Sequence, residues 1–181
     1  MDAIEILMNE HRTIERAIDA LVAFADATRR GGEDRAELGR FVRFIREFAD
    51  AHHHGKEEEI LFKVMVEAGF PAREGPIGVM LMEHDIGRQH VKALADLSLQ
   101  QEPWSAEDRR RVAEEATGYA DLLRAHIHKE DAILYPMAEQ RLPPEMMERV
   151  DEECDAFERR SASAGTKLLA LADELAARHG G

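Results

Sequence analysis

Two stretches of this chain repeat each other at a shift of 73 residues. His53-His-Gly-Lys-Glu57-Glu-Glu-Ile-Leu-Phe62 returns as His126-Ile-His-Lys-Glu130-Asp-Ala-Ile-Leu-Tyr135, and Glu10-His11 returns as Glu83-His84. A repeat that keeps imidazole and carboxylate groups in register constrains the fold, because both copies must bring the same donors to the same depth. On a helix, residues four apart share one face, roughly 6 Å from each other. His53 and Glu57 therefore project together, as do His126 and Glu130.

The 181 residues are rich in Ala, Leu, Glu and Arg and poor in proline and aromatics. That mix favours helices, and the length suffices for one core. Apolar residues at three- and four-residue steps predict five helices. The first, about 2–28, carries Ile4, Leu7, His11, Ile14, Ile18, Leu21 and Phe24 on one stripe. The second, about 34–67, turns Leu38, Phe41, Ile45, Phe48, His52 or His53, Ile60 and Leu61 inward. The third spans about 77–100 with Met80, His84, Val91 and Leu94 inside, and Ser105 to Asp108 reads as a capping box opening the fourth. The fourth, about 106–140, is expected to bury Val112, Tyr119, Leu122, Leu123, His126, Ile133 and Leu134. Pro136 should kink or locally unwind its last turns.

Pro143-Pro144 opens a fifth helix. Its Val150, Cys154, Phe157, Ser161, Ala164, Leu168, Leu171 and Leu175 alternate steps of four and three. This helix either covers the bundle's own side or meets a second copy of the chain as a homodimer. The fold class read from the pattern is all-α: an up-down-up-down four-helix bundle over 1–140 and a C-terminal helical extension over 141–181.

In such a bundle the ligand-bearing levels must coincide. From His11 to the turn near Gly31 is about 20 residues, and from there to His53 about 22, so the two arms match. His84 and His126 have the same separation. His11, His53, Glu57, His84, His126 and Glu130 thus meet at one height. Six such donors suffice for two metal ions about 3.5–4 Å apart if both carboxylates bridge, and imidazole with carboxylate suits iron, zinc or manganese. His54 and Glu58 share the same spacing and form the competing register, while the repeat and the Ile-Leu-aromatic that follows favour His53 with Glu57. His52 is a further donor if it leans inward. Alone, His11 or His84 would read as a hydrogen-bonded core histidine; all six in register point to ligation. Glu10 and Glu83 are either solvated or partners of the ligand histidines, and Arg88 pairs with a buried carboxylate or ends a water path. Tyr119 is a core residue or a hydrogen-bond partner near the metal. His90, His128 and His179 read as surface residues, and Cys154 as an inert buried thiol.

The formal net charge of -13, without a Lys/Arg cluster, argues against nucleic acid or an anionic membrane as partner. No apolar run approaches the ~20 residues needed to span a bilayer, and no basic region followed by an apolar stretch marks a signal peptide. A soluble, cytoplasmic protein is expected. A single cysteine excludes an intramolecular disulfide. No phosphate loop, Ser-His-Asp triad or thiolate zinc motif is present.

On Glu10-His11, His53-His54-Gly-Lys-Glu57-Glu58 with Leu61-Phe62, Glu83-His84 with Arg88, and His126-Ile-His-Lys-Glu130 with Leu134-Tyr-Pro136, the chain resembles the hemerythrin-like, HHE cation-binding family over about residues 1–140. The resemblance implies a non-haem di-iron centre bridged by two carboxylates and an oxo or hydroxo group. It departs from the oxygen carriers of that family, which have a His-x-x-x-His pair on the third helix and an aspartate five residues after the last histidine. Here Arg88 and Glu130 stand instead, which points away from reversible oxygen transport. The resemblance implies a di-iron protein that reacts with or senses a small ligand such as O2, NO or peroxide. The alternatives are a metal-dependent sensor or interaction module, an iron storage or delivery protein without turnover, and a redox-inert zinc site.

Overall fold

The structure, a computed structural model, describes residues 2–180. These form five helical rods and no strand. The first is α1 (Ala3–Arg29), whose N-cap Asp2 accepts from the Glu5 N–H. The second rod runs through α2 (Arg35–Phe44), two π-helical segments (Ile45–His54 and Glu57–Leu61) and α3 (Phe62–Glu67). The third is α4 (Gly75–Ser98). The fourth joins α5 (Ala106–Lys129), a π-helical turn (Glu130–Leu134) and α6 (Tyr135–Arg141). The Ser105–Asp108 capping box opens α5. The fifth is α7 (Pro144–His179).

The π-helical turns are the main departure from the sequence expectation of unbroken α-helix. At their ends the Gly55 N–H bonds to the Asp50 carbonyl, Phe62 to Glu57, and Tyr135 to Glu130, each reaching five residues back. A wider turn advances each residue less around the axis, so neighbours in sequence diverge less in direction. Such turns are rare and concentrate at functional sites. All three lie where the repeat places its donors. The unwinding expected at Pro136 takes this form: proline sits in the first turn of α6, directly after the π turn.

The apolar core is split in two. One cluster gathers Ile14, Ile18, Leu21, Phe41, Phe48, Leu94, Val112 and Leu123 with their neighbours. The other gathers Leu7, Leu61, Met65, Met80, Leu134 and Tyr135. Between them, at the level of His11 and Glu57, lies a layer of buried polar side chains. Close-packed apolar blocks above and below fix that layer in place.

α7 packs along α1 and against the second rod. Val150, Cys154, Leu168, Ala172 and Leu175 are buried beneath it, whereas Ser161 is half-buried and Ala164 exposed. Burial pushes the Cys154 thiol up to about 12, which keeps it uncharged and unreactive. The helix breaks the symmetry of the repeat. Ile60 beneath it is 6% exposed, but its counterpart Ile133, expected inside, is 51% exposed because no helix covers that face. No helix of the described residues is long and apolar enough to cross a membrane.

The far end of α7 is pinned by Glu37, which is buried and meets Arg40, Arg178 and His179. His179 packs against Phe24 and Phe41, so it is a docking residue and not the surface residue its sequence suggests. Burial works to raise the Glu37 carboxyl, but the Arg40 and His179 hydrogen bonds and the Arg178 charge hold it below the usual range. A carboxyl lowered on folding adds stability above its unfolded pKa and loses it as pH falls through the folded value. Glu37→Gln is therefore expected to cost about 1–2 kcal/mol at neutral pH, since its partners are partly exposed. Urea unfolding of both proteins should show that difference shrink to nothing in acid; a constant difference across pH would rule out the charge as its source.

Candidate metal centre

Each rod of the four-helix bundle delivers donors to the polar layer. α1 supplies His11, the second rod His53, His54 and Glu57, α4 His84, and the fourth rod His126 and Glu130. All seven are buried. Their donor atoms fall into two groups, each with its members within 4.8 Å of one another: His11, His53, Glu57 and Glu130 in one, and His54, Glu57, His84 and His126 in the other. The carboxylates stand between histidines of opposite hairpins. Glu130 Oε2 lies 3.3 Å from His11 Nε2 and 3.2 Å from His126 Nε2. Glu57 Oε2 lies 3.7 Å from His53 Nε2 and 3.5 Å from His84 Nε2. With metal–donor bonds of about 2.0–2.2 Å, adjacent donors on one ion sit roughly 3–3.5 Å apart, so these spacings fit.

A chemical test of the fit is which buried polar atoms lack hydrogen-bond partners. Among the described residues these are both nitrogens of His54, Glu57 Oε2, both oxygens of Glu130, and Arg149 Nε. Buried polar atoms are nearly always satisfied. Here every orphan except Arg149 Nε belongs to a residue of the two donor groups, and a cation in each group would take one atom from each of its residues.

The opposite edge of most of these rings is held by a carboxylate. Nδ1 of His11 meets Asp131 at 2.7 Å, Nδ1 of His53 meets Glu10 at 2.8 Å, Nδ1 of His84 meets Glu58 at 2.7 Å, and Nδ1 of His126 meets Glu83 at 3.0 Å. A carboxylate on Nδ1 fixes that proton there and leaves Nε2 as the inward lone pair. The 73-residue shift maps Glu10 to Glu83 and Glu58 to Asp131, so it governs the supporting carboxylates as well as the inward groups. Glu58, in the competing register, points outward to His84 Nδ1 and Arg88 and is held down at about 2, first by the His84 bond. Arg88 pairs with Asp50 as well as Glu58.

Electrostatics without a cation are strained. Burial, then the charge of Glu130, raises the Glu57 carboxyl well above the usual range. Burial also acts to raise Glu130, but His126 and His11 pull it well below. Burial, and next the His11 charge, drops His53 to about 4. His54 falls to about 3, mainly by burial and despite Asp50. Both therefore present neutral, ligand-competent imidazoles at neutral pH.

Two groups lie outside the six donors that the repeat favours. His54 lies outside the repeat, its counterpart being Ile127, and α-helical phase turns it away from His53. The π-helical segment brings both inward, and the His54 ring stacks on His84 at 3.8 Å. The run of three histidines and the four-residue spacing to Glu58 are the signals that make His54 the competing register. Tyr135, the counterpart of Phe62, donates its hydroxyl to Glu57 Oε1 at 2.7 Å and stacks on His11 at 5.6 Å. Phe62 stacks on His84 in the same way but carries no hydroxyl. His52 does not join the layer; it faces Glu10 and Glu158, 3.1 Å from each. Tyr119 is buried beside the layer, in the wall of a cavity that also touches His84 and His126.

A four-helix bundle that converges buried histidines and carboxylates between two apolar blocks is a protein built to hold metal cations. The chain belongs to the hemerythrin HHE cation-binding domain family, whose model residues 2–138 match. It is also similar to a protein of Haemophilus influenzae described as a probable iron-sulfur cluster repair protein, 27% identical over 141 residues. That alignment takes in 72% of this chain and 61% of the relative, so the chain spans about three fifths of that protein's length. No solved structure matches this chain.

Proposed function

We propose that His11, His53, His54, Glu57, His84, His126 and Glu130 hold two iron ions, with Glu57 and Glu130 bridging, and that the centre reacts with or senses a small ligand such as O2, NO or peroxide. The observation that carries this reading is the pair of donor groups sharing Glu57, with Glu57 Oε2 and both Glu130 oxygens otherwise orphaned. The description of the Haemophilus relative as a probable iron-sulfur cluster repair protein supports iron as the metal. Bound iron would supply the electrons and open coordination positions such a ligand needs.

The protein's own contribution is to hold four of the five imidazoles in one tautomer, through Asp131, Glu10, Glu58 and Glu83, and to exclude water with the apolar blocks. Tyr135 keeps a proton directed at Glu57 Oε1, which fixes that carboxylate's orientation. The test is anaerobic iron loading, followed by metal analysis and stopped-flow spectra with oxygen, nitric oxide and peroxide in parallel. About two irons per chain and a fast spectral change with one of the three is the expected result. Fewer than one iron per chain, or zinc held in preference to iron, would overturn it.

His54 separates this arrangement from a six-donor one. His54→Leu is expected to lower the iron content to about one per chain after gel filtration, because one donor group keeps too few ligands. The metal-free variant should melt no lower than the metal-free parent, since the ring makes no hydrogen bond to lose.

A second reading has its own observation. Glu158 of α7 meets buried Lys56, Lys56 meets Glu10, and Glu10 holds His53. This polar chain ties the centre to α7 and favours a sensor in which metal state alters how α7 docks. Limited proteolysis should then cut α7 differently with and without oxidised iron; identical digests would count against it.

A further inference from the structure

A cavity of about 250 Å³ opens beside the centre, between the second rod, α4 and α5. At its inner end are His54, His84 and His126. Its walls are apolar, formed by Ile45, Val91, Leu122, Leu123 and the ring of Tyr119. At its outer end stand Arg46 and Lys92, both exposed. Water takes about 30 Å³ in the liquid, so the space equals roughly eight waters. A diatomic or peroxide needs far less, and an apolar wall is a poor host for that much water.

The charges around the cavity are unevenly matched. Of its two carboxylates, Asp50 is paired with Arg88, and Glu83 is taken by His126 and Lys129. Arg46 and Lys92 have neither an ion pair nor a side-chain hydrogen bond among the described residues. In a chain with a formal net charge of -13, two cations are left unmatched at the opening of an apolar space. Tyr119 is 2% exposed and lines the cavity, so its ring completes the apolar wall.

We propose that this cavity binds a small amphipathic organic anion of the carboxylate class, about eight to ten heavy atoms in size. Its apolar body lies between Val91, Leu122, Leu123 and Tyr119, and its charged head meets Arg46 and Lys92. The proposal goes beyond the di-iron reading and draws on it only for what the ligand lies next to; binding itself needs no metal. An occupant of this kind brings the apolar end of an organic molecule to the histidine edge of the centre, which gives the site a ligand class beyond diatomics.

The test is calorimetric titration of the metal-free and the iron-loaded protein with octanoate, and with 1-octanol as the uncharged molecule of equal chain length. Octanoate is expected to bind at one site with a Kd of roughly 0.1–1 mM, within the efficiency of a ligand this small. Octanol should bind at least about tenfold weaker. Removing both cations (Arg46→Gln with Lys92→Gln, exposed positions that leave the core intact) should weaken octanoate about tenfold and leave octanol unchanged. The control Arg111→Gln with Arg160→Gln, which removes equal charge elsewhere on the surface, should change neither. Absence of saturable octanoate binding up to about 10 mM in both forms overturns the proposal. So does equal binding of the two molecules, or indifference to the Arg46 and Lys92 changes. Iron content measured on the same samples keeps the two readings apart. Octanoate binding by protein that takes up no iron on loading sinks the di-iron reading alone, and iron uptake without octanoate binding sinks this one alone.

Discussion

Glu57→Gln is expected to have opposite effects on the loaded and the metal-free protein. With metal present it is, together with Glu130→Gln, the most damaging single change to the centre, because Glu57 belongs to both donor groups and Glu130 Oε2 stands between His11 and His126. Losing an outer carboxylate partner of a ligand histidine typically costs about 10–100-fold in metal affinity. Loss of a carboxylate common to both groups should exceed about a hundredfold and leave less than one ion per chain after gel filtration. Metal binding stabilises the folded state in proportion to the logarithm of ligand excess over Kd, so the loaded variant should melt well below the loaded parent.

In chelator the order reverses. Burial, and then the Glu130 charge, hold the Glu57 carboxyl above its ordinary range. The folded chain keeps a proton there that the unfolded chain gives up. Its stability therefore falls as pH rises above the ordinary carboxylate range. Glutamine removes that penalty and preserves an oxygen for the Tyr135 hydroxyl. The metal-free variant should melt above the metal-free parent at neutral pH and match it in acid. Thermal melts with metal and with chelator check both signs. A variant destabilised under both conditions would show that Glu57 is a structural group, not one strained in waiting for a cation.

Lys56→Met is expected to cost about 3–5 kcal/mol, the usual result of removing one partner from a buried ion pair. Lys56 is 0% exposed and its ammonium meets Glu10 and Glu158. Methionine fills much of the space but leaves two carboxylates facing each other. His52, 3.1 Å from both, softens the loss. Burial lowers His52, but the Glu10 and Glu158 hydrogen bonds outweigh it and carry it to about 9. Protonated His52 therefore replaces part of the lost charge below that pH, and the cost should grow as pH rises past 9. In a chain of this size the neutral-pH loss corresponds to a fall of roughly 6–20 °C in Tm.

The repeat supplies its own control. Lys129 is the counterpart of Lys56 and pairs with Glu83, the counterpart of Glu10, but its side chain is 33% exposed. Lys129→Met should cost no more than about 1 kcal/mol. Equal losses at the two lysines would mean that burial beneath α7 is not what makes Lys56 matter.

The comparison of these two lysines also marks where the sequence stops being informative. The 73-residue repeat, the four-residue spacing of His53 with Glu57 and of His126 with Glu130, and the matching arm lengths are local facts. Together they determine an all-α bundle and the residues that meet in its middle, because helix rise and antiparallel packing leave no other height for them to occupy. Glu10 and Glu83 are half legible: the repeat marks both, the sequence leaves them solvated or beside a ligand histidine, and the structure seats them on His53 and His126.

What only the tertiary structure decided is where the repeat fails. Helical phase counted at 100° per residue turns His54 away from His53; the π-helical turn spends an extra residue and brings both inward. That choice depends on packing between four rods, which no window of sequence contains. The inequality of Lys56 and Lys129, and of Ile60 and Ile133, depends on which side of the bundle α7 covers. Copies so alike in sequence carry no mark of that, because burial belongs to the neighbour that lies across a residue and not to the residue itself.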